Sequence, residues 1–323
     1  MRYFLTLGLV LIALSLNAMD YDPLYRSDKP LVPSITLDHT DAVRARKIPM
    51  RIYLPQQITP APIIIFSHGL GGSRNGNAFM GEHWSARGYV AVFIQHPGSD
   101  ETVWKDIPLA KRMAAMQQAA NSENFLLRVA DVKATIDALE RWQIEVGHQL
   151  NGRLDLTRIG MSGHSFGAVT TQAVSGQRYA KINMMDPRID AAIAFSPSSP
   201  GKGADTANAF GSVAIPWLLM TGTLDSSLVG GQTPASRREV YPALPAQGQA
   251  YELVLYNAEH SAFTERALPG ETQPRNPNHH RAILAISTAF LDAWLGKDVG
   301  ARAWLDGDGP RSMLQAADVW QRK

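Results

Sequence analysis

The 323-residue chain contains no cysteine. That absence excludes disulfides, thiolate metal sites, a lipid anchor on cysteine and a cysteine nucleophile together. A dominant charge is missing too: 31 Lys and Arg stand against 29 Asp and Glu, a net charge of +2. No Lys/Arg cluster forms a stripe along a helix, so the electrostatic footprint of nucleic-acid binding is not there. No internal repeat, low-complexity tract or long Gly/Ser linker divides the sequence. With 45% hydrophobic residues there is material for a large core, and one large α/β domain over residues 19–323 is expected.

What is present begins at the N-terminus. Arg2 precedes an apolar stretch from Phe4 to Leu16, and Ala18 is a small residue shortly before Asp20. The stretch is too short for an ordinary bilayer-spanning helix and has the layout of a secretory signal peptide over residues 1–18. Export to a periplasm or the medium, with no membrane anchor after cleavage, is the expectation.

Beyond a Pro- and Asp-containing leader, apolar runs alternate with helical patterns. Ile48 to Leu54, Ile63 to Phe66, Tyr89 to Ile94, Ala191 to Phe195, Trp217 to Thr221 and Glu252 to Tyr256 read as strands. The continuous β-branched run at Ile63 marks a strand covered on both faces. Asn77 to Arg87 reads as a helix stopped by Gly88. From Ser122 a long helix carries Phe125, Val129, Val132, Ile136, Leu139 and Trp142 at three- and four-residue spacing, a stripe that must lie on the sheet. A terminal helix at about Arg281 to Leu295 is expected to close the domain. Gly201 to Gly211 and Asp306 to Pro310 read as glycine-rich loops. The pattern predicts a mostly parallel sheet with helices on both faces and a site beyond the carboxyl ends of the strands.

At one such end, after Arg158 to Met161, stands Gly163-His164-Ser165-Phe166-Gly167. This is the G-x-S-x-G nucleophile elbow, in which a strand turns sharply into a helix and the flanking glycines keep side chains away from the strained serine. Ala168 to Val174 supplies the helix. The turn aims the Phe166 N–H and the helix N-terminus at a developing oxyanion. A second donor is expected from the loop after Ile63 to Phe66, Ser67-His68-Gly69-Leu70-Gly71-Gly72, through the Leu70 N–H.

A serine hydroxyl needs a base, and the base needs a partner that fixes its tautomer. On folds that carry this elbow the chain order is serine, acid, histidine. Asp225, after Trp217 to Thr221 and a Gly222-Thr223-Leu224 turn, and His260, after Glu252 to Tyr256, occupy those places. Asp186 and Asp190 precede their strand and should lie at the opposite edge. Glu259 is a weaker candidate acid. His279 and His280 read as capping or surface residues, while His68 and His164 read as groups that pack or orient their loops. From Val103 to Met116, Trp104, Met113 and Met116 are candidate walls of an acyl pocket, or else the buried face of a helix. Asp306-Gly307-Asp308-Gly309 falls short of an EF-hand and reads as a surface turn.

The Ser67 to Gly72 segment together with Gly163 to Gly167 resembles the bacterial dienelactone-hydrolase-like and platelet-activating-factor-acetylhydrolase-like branch of the α/β hydrolases. The resemblance spans most of the mature chain. It implies an α/β-hydrolase fold and a serine ester hydrolase with Ser165, Asp225 and His260 as triad, acting on a small-molecule, lipid or polymer ester. No metal or organic cofactor is needed for that chemistry. The chain departs from the branch twice. Dienelactone hydrolases use a cysteine nucleophile, and the acetylhydrolases resemble a version with the acid one strand earlier, where Ser196-Pro197 stands here. Secreted polyester hydrolases and cutinases show a similar layout. Since fold does not fix function, a non-catalytic binding protein on the same scaffold stays open.

Overall fold

Successive side chains of the run Ile63 to Phe66 enter opposite cores: Ile64 and Phe66 join one apolar cluster, Ile63 and Ile65 another. The same alternation recurs at Ala91 and Phe93 against Val90, Val92 and Ile94, because side chains on a strand point to alternate faces. Both faces are therefore covered. The computed structural model describes residues 21–323 apart from 27, 28, 180, 181, 202 and 248, so the expected signal peptide lies outside the described residues.

Among the described residues nine strands form one sheet: β1 (Ile35–Asp41), β2 (Arg46–Tyr53), β3 (Ala61–Ser67), β4 (Val90–Ile94), β5 (Leu154–His164), β6 (Ile189–Phe195), β7 (Trp217–Leu224), β8 (Ala250–Glu259) and β9 (Val319–Arg322). Their order is β1-β2-β4-β3-β5-β6-β7-β8-β9. The run from β4 to β8 is parallel; β1, β2 and β9 are antiparallel to their neighbours. This is the α/β-hydrolase fold.

The helices are α1 (Ala78–Ala86), α2 (Leu109–Ala119), α3 (Ser122–Ile144), α4 (Phe166–Val174), α5 (Thr206–Phe210), α6 (Pro234–Arg237), α7 (Val240–Ala243), α8 (Pro277–Trp294), α9 (Val299–Asp306) and α10 (Gly309–Met313). Met80 and Trp84 of α1, Ile283, Ile286 and Phe290 of α8 and Trp304 of α9 cover one face of the sheet. The predicted stripe of α3 covers the other, with Phe125 and Trp142 packed at its ends. Burying one apolar stripe is what holds a long helix in place when propensity alone would not.

Several expectations change. β1 is not marked by an unbroken apolar run; its ITLDHTD sequence alternates half-buried with exposed residues, as suits an edge strand. The helix α8 does not close the chain, since α9, α10 and β9 follow and β9 pairs with β8. The glycine-rich segment 201–211 contains α5, capped by the Asp205 carboxylate at the Asn208 N–H. Asp306 to Pro310 is the junction of α9 and α10 rather than a loop. There the Asp306 carboxylate accepts the Tyr251 O–H at 2.8 Å and pairs with Arg302.

Candidate active site

The elbow forms where β5 ends and α4 begins. Ser165 has φ 58° and ψ −116°, a strained conformation for any residue with a Cβ. It is held there by its own N–H, which donates to the Phe195 carbonyl at 3.0 Å. The flanking glycines are needed for space. A Cβ on Gly163 would lie 2.8 Å from the Ser67 carbonyl oxygen, and one on Gly167 would overlap that same carbonyl. A Cβ on Gly163 would also strike the Gly167 carbonyl oxygen, so the sharp turn and the close approach of β3 together explain both glycines of the motif.

Three loops converge at this end of the sheet. His260, in the 3-10 turn His260–Phe263 after β8, places Nε2 2.8 Å from Ser165 Oγ. Its Nδ1 lies 2.6 Å from Asp225 Oδ1, and Asp225 Oδ2 accepts the Thr221 hydroxyl at 2.8 Å. Asp225 is wholly buried and His260 nearly so. Gly222-Thr223-Leu224 is not a free turn: β7 runs through Leu224 with an irregular register against β8. A Cβ on Gly222 would strike the Ala258 backbone. The glycine lets β7 and β8 approach and so brings Asp225 under His260.

Burial alone would raise the Asp225 carboxyl. The His260 hydrogen bond and the charge of Arg237 outweigh it and hold the group well below the usual carboxylate range. Arg237, at the end of α6, was not singled out from the sequence. It is buried, with Nε 3.0 Å from Asp225 Oδ1 and 2.8 Å from the Asp225 carbonyl; its Nη1 donates to the carbonyls of Ser196 and Pro197. At Ser196-Pro197, where the acetylhydrolase pattern has its acid, backbone carbonyls meet this guanidinium.

His164 supports His260 from below. Its Nε2 donates to the His260 carbonyl at 3.0 Å, and the two rings are 4.7 Å apart. Burial, followed by the nearby His260, pushes His164 well below the ordinary histidine value, so it is a neutral donor.

The other candidates sit elsewhere. Glu259 accepts the N–H groups of Thr272 and Gln273, both at 3.0 Å, and braces that loop instead of meeting His260. Asp186 pairs with Arg188, and Asp190 accepts the Ile159 N–H midway along β5. His279 and His280 are neither caps nor surface groups. Asn276 caps α8, His279 is buried against the Tyr256 carbonyl, and His280 stacks on Phe79 with centroids 4.1 Å apart.

The loop after β3 lies directly beside the serine: a Cβ on Gly69 would be 3.4 Å from Ser165 Cβ. This puts Leu70 next to the elbow, with Phe166 on its other side at the first position of α4. Trp104 Nε1 donates to the Gly71 carbonyl at 2.7 Å, and a Cβ on Gly71 would lie 2.8 Å from both Trp104 and Met116. Trp104 and Met116 therefore back this loop. Met113 is 43% exposed, and Ala119 is the buried residue of α2, so the apolar spacing of α2 is not the buried face of a helix.

No curated protein matches the chain. Residues 54–135 match the family model for platelet-activating factor acetylhydrolase, isoform II. The match runs from the end of β2 through β3, the Ser67 to Gly72 loop, α1, β4, α2 and the first half of α3, and stops before the elbow. The chain thus has the α/β-hydrolase fold and, over residues 54–135, resembles the platelet-activating-factor acetylhydrolases, a family of hydrolases acting on esters.

Proposed function

We propose that the protein hydrolyses carboxylic esters through an acyl-enzyme on Ser165. The observation that carries this reading is the unbroken chain from Ser165 Oγ to His260 at 2.8 Å and on to a buried, ionised Asp225 at 2.6 Å. His260 Nε2 takes the hydroxyl proton as Oγ attacks the ester carbon. Asp225 fixes the tautomer that leaves Nε2 free and stabilises the imidazolium. The imidazolium then returns the proton to the leaving alkoxide, and water repeats the sequence to release the acid.

The amides of Phe166 and Leu70 receive the oxyanion in each half. Losing one such donor removes about 3 kcal/mol of transition-state stabilisation, a hundredfold or more in rate. The buried Ser165-His260-Asp225 chain favours catalysis over a binding role. The family match at residues 54–135 supports short-chain ester and phospholipid acetyl-ester substrates as the first to test. Polyester and cutin-like esters are the second specificity. Residues 1–18 have the pattern of an export signal, and we propose a periplasmic or secreted location, which N-terminal sequencing of the recovered protein tests.

A fluorophosphonate is expected to label the wild type and not Ser165→Ala, and p-nitrophenyl esters graded by chain length to be turned over by the wild type alone. An unlabelled wild type would point to the binding reading instead.

A further inference from the structure

Behind the loop that carries Leu70 runs a second polar chain that the proposed reaction does not use. Ser67 Oγ is 2.9 Å from His96 Nε2, and His96 Nδ1 is 3.0 Å from Asp131 Oδ2. The connectivity copies that of Ser165, His260 and Asp225, yet all three groups are wholly buried, so no substrate reaches Ser67. Asp131 also receives Arg44 at 2.8 Å and Arg46 at 2.7 Å. Burial and then the nearby Arg128 bring His96 down to about 4. A neutral His96 donates Nδ1–H to Asp131 and accepts the Ser67 hydroxyl proton at Nε2. The lone pairs of Ser67 are then left for Arg128, whose Nη1 is 3.3 Å away.

Arg128 lies on α3 and is wholly buried. Its guanidinium donates to hydroxyls and carbonyls: Ser99 Oγ at 2.8 Å, Ser67 Oγ, the His68 carbonyl at 2.8 Å and the Gly69 carbonyl at 3.4 Å. Burial lowers it to about 9, which leaves it a cation at neutral pH. A buried charge is costly unless it is hydrogen-bonded and near opposite charge, and here the guanidinium donates four hydrogen bonds with Asp131 and Asp100 nearby.

Its position suggests a role. The Gly69 carbonyl faces three donors: Arg128, the Gly72 N–H at 3.0 Å and His68 Nδ1 at 2.6 Å. The His68 tautomer is fixed because the His96 N–H donates to its Nε2 at 3.1 Å, leaving the proton on Nδ1. In a trans peptide the N–H points opposite to the C=O. A Gly69 carbonyl pinned toward the buried cluster therefore turns the Leu70 N–H away from it. The same guanidinium lies 4.5 Å from the centroid of the Phe166 ring, a cation–π contact on the residue that carries the other amide.

We propose that Arg128, seated on the Ser67-His96-Asp131 chain, is the positioning residue of the oxyanion hole: it sets the Gly69-Leu70 peptide plane and the Phe166 ring so that two N–H groups converge beside Ser165. The inference rests on the reading of Leu70 and Phe166 as oxyanion donors, and one experiment separates the two. A trifluoromethyl ketone adds to the serine and presents an oxyanion, whereas the methyl ketone of the same skeleton only occupies the site, so the ratio of their affinities reports oxyanion binding. A general loosening of the fold moves both affinities together.

The wild type is expected to favour the trifluoromethyl ketone by roughly a hundredfold, with Arg128→Lys shrinking that ratio about tenfold and lowering kcat in parallel while KM stays within about threefold. Ser99→Ala, which removes one anchor of the guanidinium and leaves the charge and the loop in place, should shrink it less, and it decides the matter if Arg128→Lys does not fold. A wild-type ratio near one would overturn the oxyanion reading itself. A large wild-type ratio left unchanged by the folded variants would overturn the role of Arg128 alone.

Discussion

Arg237 holds Asp225 by both ends, with one guanidinium nitrogen 2.8 Å from its backbone carbonyl and 3.0 Å from its carboxylate. Because both groups are buried, removing one strands the charge of the other. Arg237→Met is expected to destabilise the fold by about 3–5 kcal/mol. Urea unfolding checks this, and Asp225→Asn in the same background should recover part of the loss. A double mutant that is simply additive would show that the two side chains do not couple.

The backbone strain at Ser165 gives a second expectation. Glycine meets no Cβ penalty at φ 58°, so Ser165→Gly should be inactive yet more stable than the wild type by about 1 kcal/mol, at the low end of what such a conformation stores. Ser165→Ala keeps the Cβ and should show no such gain in Tm. Equal melting of the two variants would mean that the elbow carries no strain.

His164 bears on the proposed reaction through the His260 carbonyl it donates to. His164→Ala leaves that carbonyl without its donor and frees the base to shift. A loss of about fivefold in kcat is expected, on the order of the 1 kcal/mol such a hydrogen bond contributes. An unchanged kcat would remove His164 from the support of the base.

Acid stability follows from the buried histidines. His68 and His164 are pushed well below the ordinary value, and His83 and His96 to about 4, in each case first by burial. A base whose folded pKa is lowered binds fewer protons folded than unfolded. The stability it contributes is complete above its unfolded pKa and is lost as pH falls from there toward the folded value, by about 1.4 kcal/mol for each unit between them. Tm should therefore drop steeply from pH 6.5 to pH 4. His83 is remote from Ser165 and donates to the Pro23 carbonyl, so His83→Gln should flatten part of that slope with little effect on activity.

Local patterns were readable in the sequence wherever one physical demand dominated. The run Ile63 to Phe66, the α3 stripe and the glycine-flanked serine each answer to a single requirement: burial on two faces, burial of one helical face, and a turn with no room for side chains. The edges were less legible. β1 and β9 are edge strands of half-buried residues, and pairing along one side leaves little apolar pattern to read. Trp104, Met113 and Met116 read as pocket walls or else as a buried helical face, and the second reading does not hold because a backbone hydrogen bond to Gly71, not periodicity, seats Trp104.

Arg128 and Arg237 show why other parts of the site went unread. Each binds carbonyls and side chains from segments far apart in the chain, and no local spacing encodes such partners. A faint trace existed for Arg128, a charged residue set within the apolar stripe of α3. For Arg237, nothing in its neighbourhood distinguishes it from Arg238, which is partly exposed and pairs with Glu252.

By itself the sequence determined the elbow, the loop beside it, the two-faced sheet and the order of the serine, acid and histidine, because these depend on residue type and short-range spacing. The tertiary structure decided that Asp225 rather than Glu259 meets His260, and that two buried arginines stand behind the site. It also decided that, of the Ser67-His96-Asp131 and Ser165-His260-Asp225 chains among the described residues, the one at Ser165 is the less buried. Those outcomes turn on distance and exposure, which exist only after segments far apart in the chain have packed together.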